Sequence, residues 1–230
     1  MSLSRALVQE ALQTLPAMDP MLEAFYNKVE LRESAVLLPL QERADDWHIV
    51  FTRRSRNLRN HKGEIAFPGG KVDEEDEDVI ATAVREMEEE IGVPRGAVEV
   101  LGRLPESFSI AGFQISPIVG VIPHPVEFIP NPGELDEVFT VPVGDLLQPG
   151  LCKVLNRVRL GDHQHLLYSF PWRPGYDIWG ATARMLKIFL EAMNGPLVLD
   201  PDSARAPALV EFPRPKYWIA DDPFPGQDPA

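Results

Sequence analysis

One cysteine, Cys152, stands in a chain of 230 residues. That excludes an internal disulfide and any cysteine-rich metal site, and the expected state of the thiol is burial among apolar neighbours. No apolar run approaches the roughly 20 residues needed to cross a bilayer. The opening residues, MSLSRALVQEALQTLP, lack the continuous apolar block of a signal peptide; Leu3, Leu7, Ala11 and Leu15 recur there at helical spacing instead. A cytoplasmic location is the expectation. Positive charge is also scarce, 22 basic residues against 35 acidic ones for a net charge of −13. Nucleic acid and anionic membranes are bound through a basic field, so neither is an expected partner. An anionic small molecule, held in a local basic pocket or through a cation, stays open.

The charge that is present is unevenly placed. Residues 53–62, RRSRNLRNHK, carry Arg53, Arg54, Arg56, Arg59 and Lys62 and no acid, whereas residues 73–78, DEEDED, are all acidic. Two opposite islands so close in sequence are a first pointer to a metal-assisted site for a phosphorylated substrate.

An apolar fraction of 44% suits a chain that buries a real core, and the length allows one large domain with extensions. Asp19-Pro20 is a helix start, so residues 1–29 read as two short helices outside that core. SAVLLPL (34–40) and WHIVFTRR (47–54) read as strands joined by an acidic turn. A glycine-containing charged loop then ends in Phe67-Pro68-Gly69-Gly70. A helix is expected from about Glu77 to Ile91, stopped by Gly92 with Pro94 beyond. VEVLGRL and ISPIVGVI read as strands, VPVGDLLQ as a short helix, HLLYSFPW as a strand and DIWGATARMLKIFLEAMNG as a long amphipathic helix. From Pro196 the chain is proline-rich without clear periodicity, a wrapping or disordered tail. The division expected is a helical extension (1–30), a core domain (31–195) and a tail (196–230), with the core an α/β/α sandwich around a mixed sheet.

The chemistry concentrates in GGKVDEEDEDVIATAVREMEEEIGV, residues 69–93. At about 100° per residue, Ile80, Val84, Met87 and Ile91 share one stripe, expected to face the core. Glu86 and Glu90 lie four apart on the opposite side, with Glu89 beside them. Carboxylates converging on one helix face repel one another, and a divalent cation relieves that repulsion. Mg²⁺ takes oxygen ligands from a few carboxylates and from substrate phosphates. Arg85 and Glu89 are also four apart, so the arginine is placed to orient a carboxylate.

The run Arg85-Glu86-Met87-Glu88-Glu89-Glu90-Ile91-Gly92-Val93 fills every fixed position in the second half of the Nudix box, and the chain is identified by this resemblance as a Nudix hydrolase. One departure stands out: six residues separate Gly70 from Glu77 where the box has five. Either the loop carries an insertion or Asp76 takes the place of the structural glutamate. The resemblance implies an α/β/α Nudix fold and a pyrophosphatase that uses Mg²⁺ or Mn²⁺. It further implies Glu86, Glu90 and Glu89 as metal ligands, with the Gly69 carbonyl as an additional one, and Glu89, Glu86 and Arg85 as the catalytic group. Glu89, Glu134 and Glu137 are the alternatives for the general base.

Upstream, Thr52-x-Arg54-Ser55, Arg59, Gly63 and Phe67-Pro68-Gly69-Gly70 follow the spacing of the coenzyme A pyrophosphatase branch. Together with the box, the resemblance covers residues 51–93. It implies a small-molecule substrate, coenzyme A or a derivative, cut to 3′,5′-ADP and 4′-phosphopantetheine. Arginine forks suit phosphate, so Arg54, Arg56, Arg59 and Lys62, with His61 as a further donor, are the substrate-binding candidates. Two other readings are ADP-ribose or NADH as substrate, and a silent nucleotide-binding domain; the retained Arg85, Glu86, Glu89 and Glu90 argue against the latter.

Overall fold

The computed structural model describes residues 3–18, 31–44, 46–109, 112–160, 163–205 and 208–211. At its centre is β1 (Arg32–Glu42), a strand buried on both faces, as its run of Val, Leu and Ala requires. One edge of β1 pairs in parallel with β7 (Phe113–Val121), in register from Arg32↔Phe113 to Leu40↔Val121. The other edge is shared by two antiparallel strands. The second half of β1 pairs with β2 (Trp47–Arg54) and the first half with β4 (Gly69–Lys71), through Val36↔Gly69 and Ala35↔Gly70. Completing this mixed sheet are β3 (Ile65–Ala66), β5 (Glu99–Arg103), β6 (Ser107–Ser109) and β8 (Leu135–Pro142).

Alternation along the strands sorts side chains into two cores. Ala35 and Leu37 of β1, with Val50 and Ile118, pack under Ala83, Met87 and Ile91 of helix α2 (Val79–Ile91). Leu38 and Leu40, with Ile49, Phe51 and Val119, face Leu186, Phe189 and Leu190 of the long helix α4 (Gly180–Asn194). Each fully buried Val, Leu, Ile, Phe or Met among them stabilises the fold by about 1.5–3 kcal/mol, and helices on both sides of the sheet make the expected α/β/α arrangement. A short helix α3 (Val143–Leu146) follows β8 directly, inside the segment read as a short helix.

Some expectations change. Helix α1 (Arg5–Thr14), read as lying outside the core, buries Val8 and Leu12 in the larger cluster. It is tied down by Arg5 to Glu42 and Glu99, and the Trp47 indole donates to the Leu3 carbonyl at 3.0 Å. The second helix expected from Asp19 lies outside the described residues. A second, four-stranded sheet was not foreseen. It is built from β9 (Lys153–Leu160), β10 (His163–Arg173), β11 (Tyr176–Trp179) and β12 (Ala208–Glu211). Only β10 was legible there; Asp177, Ile178 and Trp179, read as the start of the long helix, belong to β11, and the helix begins at Gly180. The proline-rich segment from 196 is not featureless: α5 (Pro201–Arg205) and β12 belong to it, and β12 pairs in parallel with β9. The rest of that tail, from residue 212, is outside the described residues. Cys152 is buried as expected, and burial pushes its thiol up to about 12, so it is inert.

Candidate active site

The site is organised by α2 and by the glycines that pack against it. Asp78 caps the helix, accepting from the Ile80 and Ala81 amides at 2.8 Å each, which starts the helix two residues later than read from the sequence. Gly92 ends it in the left-handed region at φ 74°. A Cβ there would stand 2.8 Å from Cβ of Ile129. The close approach lets the following loop dock on the helix end, with the Ile129 amide donating to the Ile91 carbonyl and the Asn131 amide to the Glu90 carbonyl, both at 2.8 Å.

The buried face of α2 is not the stripe anticipated. Met87 and Ile91 point into the core, but Val84 is only half-buried, and Thr82, Ala83 and Glu90 are buried instead. Glu90 was expected on the opposite side and is 3% exposed. The reason is β4. Its two glycines bring backbone, with no side chain, up against the carboxylates. A Cβ on Gly70 would overlap the Glu86 carboxylate, whereas one on Gly69 would overlap the β1 backbone at Ala35 and Val36; it is the Gly69 amide that meets Glu90.

Arg85 is the hub of the polar network. Its Nε and Nη2 donate to the two oxygens of Asp76 at 2.9 and 2.8 Å. Its Nη1 donates to Glu86 at 3.0 Å and to Glu89 at 3.3 Å, and Nη2 also reaches the Lys71 carbonyl at 3.1 Å. Asp76 also accepts from Thr82 and from the Asp73 amide, and the Arg85 guanidinium holds its carboxyl well below the usual range. Of the two explanations for the six-residue spacing, the structure selects the second: Asp76 occupies the structural carboxylate position, while Glu77 is exposed. The acidic run therefore ion-pairs with Arg85, through Asp73 and Asp76.

Glu86 and Glu90 are held in a state that wants a cation. Burial raises the Glu86 carboxyl, with Arg85 partly offsetting it and Glu89 and Glu134 adding repulsion. Glu90 is pushed up to about 8, first by burial and then by Glu86 and Glu134, against a smaller pull from Arg54 and from the Gly69 amide. Its Oε2 is buried with no hydrogen-bond partner among the described residues. A buried carboxylate oxygen left unpaired beside two further carboxylates is costly unless a proton or a cation meets it. Among the described residues no group of three or more His, Cys, Asp or Glu forms a ready-made cage. The donor set thus fits a divalent cation completed by substrate oxygens, not a permanently chelated structural ion. Glu89, by contrast, is 54% exposed and bound by Arg85.

A cleft of about 410 Å³ reaches this group through Gly69 and Gly70, while Arg85, Glu86, Glu89, Glu90 and Glu134 are not among its lining residues. Of the five basic candidates, Arg54 and His61 line it, together with Gly69 and Gly70. His61 sits at φ 56° with its ring nitrogen 2.9 Å from Glu64. Arg56, Arg59 and Lys62 are exposed on the intervening loop and are not among the lining residues. The other residues of the upstream pattern have structural work. Thr52 and Ser55 are buried, Gly63 turns the hairpin at φ 68°, and Phe67 stacks on Phe51 at 5.1 Å between ring centroids. The two later acids part company. Glu134 is exposed and close enough to repel both Glu86 and Glu90. Glu137 is engaged elsewhere, accepting from the Tyr176 hydroxyl at 2.9 Å beside Arg53. Sequence reasoning missed the far wall of the cleft, Phe108, Ser109, Phe113, Leu166, Leu167 and Trp179, which comes from segments with no local motif.

Carboxylates completed by a divalent cation are suited to the hydrolysis of phosphoric anhydrides. The family match and the sequence relatives carry the assignment. The NUDIX domain family matches residues 31–159. NudL, named only as an uncharacterised Nudix hydrolase, is 40% identical over 156 residues in Escherichia coli O7:K1 and in Shigella boydii serotype 18, covering 68% of this chain and 80% of each relative. A Nudix hydrolase from Nitrosomonas europaea of known structure aligns over 80% of both chains with 14% identity and a TM-score of 0.49. The chain belongs to the Nudix hydrolase family and is an enzyme of its pyrophosphatase class. Members of that family typically depend on divalent metal and take small nucleoside diphosphate substrates. No helix among the described residues is long and apolar enough to cross a membrane.

Proposed function

We propose that the enzyme hydrolyses the pyrophosphate of coenzyme A or its derivatives, with Mg²⁺ or Mn²⁺, to 3′,5′-ADP and 4′-phosphopantetheine. The observation that carries this reading is the spacing of Thr52, Arg54, Ser55, Arg59, Gly63 and Phe67-Pro68-Gly69-Gly70 in a chain whose Arg54, Gly69 and Gly70 line the cleft beside Glu86 and Glu90. In this reading Glu86 and Glu90 hold the cation, with Glu89 and the Gly69 carbonyl as further ligands. When bound, the cation supplies neutralisation of pyrophosphate charge and a lowered pKa for the attacking water. Arg85 acts through its neighbours, fixing Glu86 and Glu89 in place. Arg54 and His61 orient the phosphates from inside the cleft, and Arg56, Arg59 and Lys62 meet the outlying 3′-phosphate. Glu134 is the stronger candidate to accept the water's proton, because it lies near the carboxylate pair and is not engaged like Glu137.

A panel of coenzyme A, dephospho-coenzyme A, ADP-ribose and NADH with Mg²⁺ or Mn²⁺, products resolved by mass, tests the reading. The expected outcome is metal-dependent release of 3′,5′-ADP with coenzyme A the best of the four. ADP-ribose or NADH cleaved with higher kcat/KM would replace coenzyme A as substrate, and no turnover with any of them would favour a nucleotide-binding domain.

A further inference from the structure

The segment that carries Glu134, Ile129-Pro130-Asn131-Pro132-Gly133-Glu134, leads directly into β8 and is fastened to the site on two sides. Proline has no amide hydrogen, so Asn131 holds the one backbone N–H from 130 to 132, and that N–H donates to the Glu90 carbonyl at 2.8 Å. Two residues earlier the Ile129 amide donates to the Ile91 carbonyl at the same distance. Both bonds meet carbonyls that the last turn of α2 leaves without helical partners. On its other side the segment reaches the end of β2, where the Ser55 amide, next to Arg54, donates to the Glu134 carbonyl at 2.7 Å. Asn131 also shapes the turn between these anchors. Its carbonyl accepts from the Glu134 amide at 3.0 Å and the Leu135 amide at 2.9 Å, and its side-chain oxygen accepts from the Gly133 amide at 3.0 Å. The proline that follows keeps its backbone out of the helical region. Leu135, 4% exposed, ends the segment in the core beneath α2. Glu134 itself is exposed, and none of the hydrogen bonds or ion pairs among the described residues holds its carboxylate. Its place near Glu86 and Glu90 is therefore set by this backbone.

We infer that Asn131 is a positioning residue for the hydrolysis: it docks the Glu134 turn on the backbone of Glu90, so that the acceptor of the water's proton and a cation-holding carboxylate share one rigid mount. This rests on the reading of Glu134 as that acceptor. Asn131 touches neither substrate nor cation and acts through Glu134 alone. A reacting group displaced by about 1 Å can lose on the order of 10²-fold in rate, which is the scale on which a loosened turn is felt.

The test is a double-mutant cycle of Asn131→Ala and Glu134→Gln, with kcat, KM and the half-saturating Mg²⁺ concentration measured on the fastest substrate of the panel above. Alanine keeps the backbone bonds of residue 131 and removes the oxygen that holds the Gly133 amide. Asn131→Ala should lower kcat by about ten- to a hundredfold and leave KM and the half-saturating Mg²⁺ concentration unchanged. In the Glu134→Gln background the same substitution should cost nothing further, because the group it positions is gone. Asn131→Ser keeps an oxygen able to close the turn and should recover most of the lost rate. A loss of equal size in both backgrounds, or an unchanged kcat in Asn131→Ala while Glu134→Gln is slow, overturns the inference and leaves the proposed activity standing. A raised half-saturating Mg²⁺ concentration with kcat regained at saturation would mean that Asn131 serves Glu90 instead, which also overturns it. If Glu134→Gln turns over at the wild-type rate, the reading of Glu134 as proton acceptor falls, and the inference falls with it.

Discussion

Replacing Glu90 with glutamine separates what this carboxylate does for the reaction from what it does to the fold. The side chain is 3% exposed, one oxygen is unpaired, and its carboxyl is pushed up to about 8 from an ordinary 4.5. Between those two pH values the folded protein without a cation keeps a proton that the unfolded chain has released. Stability therefore falls as pH rises through that window, is fully retained below 4.5, and stops falling above 8. At about 1.36 kcal/mol per pH unit, the loss by pH 7 is roughly 3 kcal/mol. Glutamine has no charge to gain, so Glu90→Gln in chelator should be more stable than the wild type by roughly 3 kcal/mol at pH 7, and the gap should close towards pH 4.5. Turnover should move the other way, falling at least roughly 10²-fold at saturating metal, because the amide keeps the size and drops the charge that holds the cation. Mg²⁺ or Mn²⁺ should stabilise the wild type more than the variant, since the cation replaces the proton. Urea denaturation from pH 4.5 to 8.5 with and without EDTA, alongside kcat, reads all three quantities. A stability gap independent of pH, a variant less stable than wild type at pH 8, or turnover close to wild type would refute the reasoning.

Asp76→Asn should destabilise the protein by about 3 kcal/mol, the scale of breaking a buried ion pair, in urea melts at pH 7. Because the folded-state carboxyl of Asp76 is held low, that deficit should be present above the ordinary carboxylate range and shrink as pH falls below about 4. Gly70→Ala puts a methyl where the Glu86 carboxylate now lies; the half-saturating metal concentration should rise at least about tenfold, the scale of losing one charged contact, with far-ultraviolet circular dichroism unchanged. Arg59→Ala should raise KM for coenzyme A about ten- to a hundredfold while leaving dephospho-coenzyme A nearly unaffected, whereas Arg54→Ala should penalise both alike, since it lines the cleft beside Glu90. Glu134→Gln should lower kcat by about 10²- to 10⁴-fold, the usual worth of a general base, and Glu137→Gln by less than about tenfold; the reverse order would move the base to β8.

Helix α2 was legible because its determinants are local. Glu86 and Glu90 lie four residues apart, Arg85 and Glu89 likewise, and Gly92 with Pro94 beyond stops the helix whatever packs against it. Strands β1, β2, β5 and β7 were legible for the same reason, since alternation and β-branched content act over a few residues. Within the segment from Thr52 to Gly70 the sequence did not separate the members with structural work, Thr52, Ser55, Gly63 and Phe67, from those that line the cleft, Arg54, Gly69 and Gly70.

What the tertiary structure decided was the environment of those residues. Helical periodicity put Glu90 with the exposed carboxylates; in the fold it is buried, with the β4 backbone at Gly69 against its carboxylate and the loop at Asn131 docked on its carbonyl. The sequence left Asp76 and a loop insertion as alternatives, and the reach of Arg85 across nine residues chose Asp76. Glu134 and Glu137 look alike in GELDEV, yet the pairing of β8 beside β2 sends one towards the carboxylates and the other to Tyr176 and Arg53. The second sheet and the far wall of the cleft come from segments more than a hundred residues apart in places, such as Val36 and Leu167. Burial, charge repulsion and cavity shape depend on which distant segments meet, and a local pattern records none of those meetings.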